Sequence, residues 1–87
     1  MNVITQEHVD KLYAESERKT TYVFNKCLIL SAKLPNGFAI SEATTCVDKG
    51  NEDYLIGHEI AVSKIKAKIW ELETYRLYTE LKAMDRE

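Results

Sequence analysis

Few side chains in this sequence are equipped for covalent or metal chemistry. Cys27 and Cys46 are its two cysteines, His8 and His58 its two histidines, and Ser16, Ser31, Ser41 and Ser63 its serines. A structural zinc takes four Cys or His ligands at close local spacings. Here the cysteines lack CxxC spacing and the histidines stand 50 residues apart. No serine lies in a nucleophile elbow, and there is neither a glycine-rich phosphate loop nor a His–Glu zinc helix. Counted from Asp48, Glu59 falls at the twelfth position of an EF-hand loop, but Gly50 and Asp53 occupy the third and sixth. That order misplaces both a ligand and the central glycine, so a helix cap is the better account of these acids. The expectation is a protein with no metal, no cofactor and no catalytic activity.

Binding is the chemistry that remains. Five tyrosines and one tryptophan are present, and Tyr13 and Tyr22 lie close in sequence to Arg18, Lys19 and Lys26. Aromatic faces stack bases and cations pair phosphates. Tyr13, Tyr22 and Lys26, with Arg18 as phosphate partner, are therefore the candidate nucleotide-binding set. The competing reading buries Tyr22 in a strand and uses Tyr13 to pack the N-terminal helix. Lys64, Lys66 and Lys68 diverge around a helix and make no basic patch. A net charge of -2 disfavours nucleic-acid backbone and anionic membrane as partners.

The elements that position these residues follow from length and pattern. Eighty-seven residues, 45% apolar and 30% charged, make one globular domain over residues 1–87. No apolar run approaches the roughly 18 residues that span a bilayer, and the N-terminus lacks the layout of a signal peptide. Thr5 caps a short helix, with Val9, Leu12 and Tyr13 as its apolar stripe. Glu15 to Thr20 is uniformly polar and reads as a solvated connection. Thr21 to Leu34 alternates with period two and reads as one strand, Pro35-Asn36-Gly37 as a turn, and Phe38 to Cys46 as the returning strand. Cys27 then lies beside Thr45 if Leu34 pairs with Phe38, or opposite Cys46 with a two-residue loop. Reduced, half-buried thiols are the expected state in a cytosolic protein.

Val47 to Asp53 links into a long uninterrupted helix reaching Met84, with Gly50-Asn51 as a turn and Asp48, Asn51 and Asp53 as candidate caps. Ala61, Val62, Ile65, Ile69 and Leu72 form one apolar side of this helix. Ile56, Ile60, Ala67, Trp70, Leu77, Leu81 and Met84 form a second, nearly opposite one. The hairpin covers the first side. The second either receives the N-terminal helix or joins subunits. A helix of this length outruns a short hairpin, which favours a subunit interface at Ile56, Ile60, Trp70, Leu77, Leu81 and Met84. The expected class is α+β: a short N-terminal helix, a two-stranded antiparallel β-hairpin and a long C-terminal α-helix.

Leu34-Pro35-Asn36-Gly37-Phe38, Glu42-Ala43-Thr44-Thr45-Cys46-Val47-Asp48, Asn51, Asp53, Ile56-Gly57, Ile60-Ala61 and the run from Lys68 to Leu77 resemble a family of small tailed-phage proteins. It is the gp-forty-nine-like family, named for products of phages N-four and Sf-six. The likeness spans Val3 to Leu77. Lys49, Glu52 and Thr74 depart from its usual proline, phenylalanine and glycine, and Thr74 favours an unbroken helix. The resemblance implies a phage origin and action in the host bacterial cytoplasm, and implies no reaction. By analogy with small phage accessory proteins, the expected function is counter-defence: a homo-oligomer that sequesters a host nucleotide signal of the cyclic nucleotide or ADP-ribose type. The alternative is an inhibitor of a host defence or regulatory protein, acting through the helix face around Trp70 and Leu77.

Overall fold

The computed structural model describes residues 3–24, 26–46 and 52–85. The turn expected at Gly50-Asn51, the caps expected from Asp48 and Asn51, and the strand position assigned to Asn25 lie outside the described residues, and Asp53, the third candidate cap, falls inside the first turn of the last helix. In chain order come α1 (Gln6–Glu15), β1 (Glu17–Val23), β2 (Cys27–Lys33), β3 (Ala39–Cys46) and α2 (Glu52–Met84). The strands form one antiparallel meander in the order β1-β2-β3. The class is α+β as expected, but the sheet has three strands where the sequence pattern suggests two.

The extra strand arises because the expected long first strand is folded near its start, leaving Thr21 to Val23 in a separate strand with the residues before them. Phe24 adopts φ 57, and the amide of Lys26 donates to the carbonyl of Val23 at 3.1 Å, which closes a tight turn. The polar stretch expected to be a solvated connection becomes β1, whose backbone pairs with β2 from Glu17↔Lys33 to Val23↔Cys27. Its first three side chains are all exposed, so β1 is held by its ladder, with little help from burial at that end. Glu17 and Lys33 add a cross-strand ion pair at 3.4 Å.

The second turn is the expected one. The amide of Leu34 donates to Phe38 O at 2.8 Å, Gly37 N to Leu34 O at 2.8 Å, and Phe38 N to Asn36 Oδ1 at 3.0 Å. Gly37 takes φ 94, which only glycine adopts freely. Leu34 thus faces Phe38, yet a register shift between Cys27 and Ile29 moves Cys46 opposite Cys27 at the far end. Cys27 is disulfide-bonded, where free thiols were expected.

One face of the sheet is covered and the other is wet. Leu28, Leu30 and Ala32 of β2 and Ile40 of β3 are buried beneath Ala61, Ile65 and Ile69 of α2, with Val9 of α1 closing the cluster. On the open face Ser31 and Ser41 share a hydrogen bond at 2.7 Å. Thr5 caps α1 by accepting from the amide of His8 at 3.1 Å. α1 lies along one flank of α2, fastened by Lys66–Asp10 at 3.0 Å and His8–Glu73 at 2.7 Å. A helix of 33 residues is ~50 Å long, and the molecule measures 56 × 21 × 20 Å, so α2 overhangs the sheet.

Candidate functional site

The C-terminal end of α1 gathers polar contacts onto one residue. The carbonyl of Tyr13 accepts from Ser16 N at 3.1 Å, from Ser16 Oγ at 2.5 Å and from Arg18 Nη1 at 2.5 Å. A cation there also complements the negative end of the helix. The same guanidinium lies over the Tyr13 ring, 4.7 Å from its centroid, and the Lys66 ammonium approaches that ring to 5.2 Å. Three elements thus build the corner: α1 gives the ring, β1 the exposed guanidinium and α2 the ammonium. Asp10 completes it, accepting from Gln6 Nε2 at 2.8 Å and pairing with Lys66. The Gln6 donor and then Lys66 hold the Asp10 carboxyl below the usual range.

The structure therefore brings Tyr13 and Arg18 together and adds Lys66, which by sequence pattern is only a solvated charge. Helical spacing could not reveal it, because Lys66 meets Tyr13 only through the packing of α1 on α2. Tyr22 and Lys26 lie elsewhere. Tyr22 is half-buried and packs against the core, and Lys26 is exposed in the β1–β2 turn. About 17 Å of strand separates Arg18 from that turn.

The second apolar side of α2 forms the other candidate surface. Ile56 is 55% exposed, Ile60 45% and Trp70 38%; Met84 is exposed, and Leu77 and Leu81 are half-buried. Three concavities adjoin along it. Ile56, Ile60, Ser63 and Ala67 line the first; Ser63 and Ala67 continue into a second with Trp70, Gln6 and Val9. Trp70 in turn borders a third with Ile4, Leu77, Tyr78 and Leu81. α1 borders this face without burying it: Gln6 and Val9 line its middle concavity and Ile4 the one at Leu77 and Leu81, while the ion pairs of α1 lie on the flank marked by Lys66 and Glu73. Thr74 sits within the unbroken helix, its hydroxyl donating to Trp70 O at 2.8 Å.

Among the described residues no helix is long and apolar enough to cross a membrane, and no three His, Cys, Asp or Glu side chains converge. The sequence family described as phage protein (N4 Gp49/phage Sf6 gene 66) matches residues 2–81. No curated protein and no solved structure matches the chain.

Proposed function

The chain belongs to the phage protein (N4 Gp49/phage Sf6 gene 66) family, and from that premise we propose that it is a non-catalytic counter-defence protein acting in the host cytoplasm. It binds and sequesters a host nucleotide signal, of the cyclic nucleotide or ADP-ribose type, as a homo-oligomer. The observation that carries this reading is the convergence of Arg18 and Lys66 on the Tyr13 ring. Two cations from different elements suit a pair of phosphates. A guanidinium already lying on a tyrosine extends a stack onto which a base can lie. The corner holds cations, a ring and a paired carboxylate, groups that retain an anion rather than cleave it.

Thermal melts across a panel of cyclic dinucleotides and ADP-ribose derivatives test it. A ligand at a hundred times its Kd adds about 2.7 kcal/mol to native stability. The expected result is a raised Tm with one class and return of that ligand unaltered after heating. A modified product identifies an enzyme instead, and no shift with any member rejects the nucleotide. A second reading, inhibition of a host protein, is favoured by the exposure of Trp70 beside Leu77. It predicts a host protein captured by the wild-type chain and lost with Trp70→Ala.

A further inference from the structure

The two apolar sides of α2 differ in period. On the buried side Ala61, Ile65, Ile69 and Leu72 advance by four, four and three residues, as suits a straight helix lying on a sheet. On the open side Ile56, Ile60, Ser63, Ala67, Trp70, Thr74, Leu77, Leu81 and Met84 advance by strictly alternating steps of four and three. That is the 3.5-residue repeat of a two-helix seam, sustained for about four heptads. None of these residues is buried.

We infer that this seam is covered by α2 of a second copy of the chain, running antiparallel, with the two-fold axis level with Lys68 and Ile69. In that register Trp70 faces the partner's Ala67, Ile60 the partner's Leu77, Ile56 the partner's Leu81 and Ser63 the partner's Thr74. The largest side chain meets the smallest, apolar meets apolar, and hydroxyl meets hydroxyl. A slip of one heptad sets Trp70 against Ile60 or Thr74 and loses the match. A parallel pair stacks two Trp70 rings beside a gap between two Ala67 methyls, the uneven layering that cores avoid. The axis also falls at the middle of Glu52–Met84, so the two helices overlap along their whole length.

Charge agrees with shape. Lys64 and Glu71 are exposed and line one concavity with Lys68 and Glu42, beside the seam. Antiparallel pairing sets Lys64 beside the partner's Glu71, and the symmetry repeats the contact. The parallel arrangement instead draws Lys66 towards the partner's Glu71 and away from Asp10, a pair that ties α1 to α2. The antiparallel one exchanges only the Lys64 bond to Ala43 O at 3.0 Å and the Glu71 pair with Lys68 at 3.3 Å. From Ile56 to Met84 the seam is ~42 Å long, a length compatible with the ~1,200–2,000 Å² of a stable interface. This inference rests on the homo-oligomer of the proposed function and not on the nucleotide.

Sedimentation and cysteine cross-linking test it. The wild-type chain at micromolar concentration is expected at twice 10.0 kDa; a 10.0 kDa particle overturns both the inference and the homo-oligomer, and leaves the face to a host protein. Mixing Ser63→Cys chains with Thr74→Cys chains under mild oxidant is expected to give a covalent dimer, with none from either alone or from wild type. A covalent dimer from Ser63→Cys alone marks parallel pairing and overturns the inference. A dimeric mass with no cross-link from the mixture places the interface elsewhere, overturning the seam while the homo-oligomer stands. Lys64→Glu is expected to raise the dimer Kd roughly tenfold, and adding Glu71→Lys to restore it. Failure of that rescue overturns the register. Both positions are exposed; Lys64 gives up one bond to Ala43 O and Glu71 its pair with Lys68, and an unchanged helical circular dichroism spectrum confirms that each variant folds.

Discussion

Nε2 of His8 in α1 lies 2.7 Å from Oε1 of Glu73 in α2, joining residues 65 apart in sequence. The same carboxylate accepts from Arg76 through Nε at 3.2 Å and Nη2 at 3.1 Å. Glu73 is thereby one of two fastenings of the N-terminal helix to the long one, beside Asp10–Lys66.

That fastening is sensitive to acid. The Arg76 hydrogen bonds, and to a smaller extent His8, hold the Glu73 carboxyl below its ordinary 4.5, against the opposing effect of partial burial. The folded chain therefore binds this proton less readily than the unfolded chain. The stability Glu73 confers is complete above the ordinary value and is lost as pH falls through the lower folded one. Glu73→Gln should cost about 1 kcal/mol at neutral pH and flatten the acid limb. Urea titrations at neutral and acid pH measure both effects.

Ile65 and Ile69 are fully buried between α2 and the sheet. Ile65→Ala should cost about 2–5 kcal/mol through lost burial and the cavity left behind. Against a total stability of roughly 5–15 kcal/mol for a small domain, that is a large fraction. Chemical denaturation with circular dichroism reads it directly.

A Cβ added at Gly37 would meet nothing within 4 Å, so substitution there isolates the backbone cost of holding φ at 94. Gly37→Ala should destabilise by about 1 kcal/mol, lowering Tm by ~4–8 °C in a domain of this size. Gly37→Asn, which tolerates the left-handed region better, should fall less.

On the open side of α2, Leu77→Asp should abolish self-association while retaining helical circular dichroism, since Leu77 is only half-buried. Light scattering gives the mass. An unchanged mass would remove Leu77 from the interface.

At the cationic corner, Arg18→Ala should abolish the Tm rise with the responsive nucleotide and lower the unliganded melt by only a few degrees, since it removes one bond to Tyr13 O and one ring contact from an exposed side chain. Lys26→Ala should leave the rise intact, since the β1–β2 turn lies at the opposite end of β1.

What is local in this fold is legible in the chain. Thr5 capping α1, the Pro35-Asn36-Gly37 turn, the period-two burial of Leu28, Leu30 and Ala32, and the core stripe of α2 each depend on neighbours within a few residues. The double-sided character of α2 is equally plain, as a repeat in side-chain type. β1 is not. Its stability comes from backbone hydrogen bonds to β2, and a polar edge strand leaves little trace in side-chain pattern. The turn at Phe24 is hidden because an aromatic residue rarely takes a positive φ. The candidate site shows the same division. Tyr13 and Arg18 can be named from proximity in the chain, but Lys66 joins them, and Tyr22 and Lys26 leave them, only through tertiary packing. α1 is free to lie on either side of α2 until His8 meets Glu73 and Asp10 meets Lys66. Those long-range pairs fix which side of the long helix remains open, and no local periodicity encodes them.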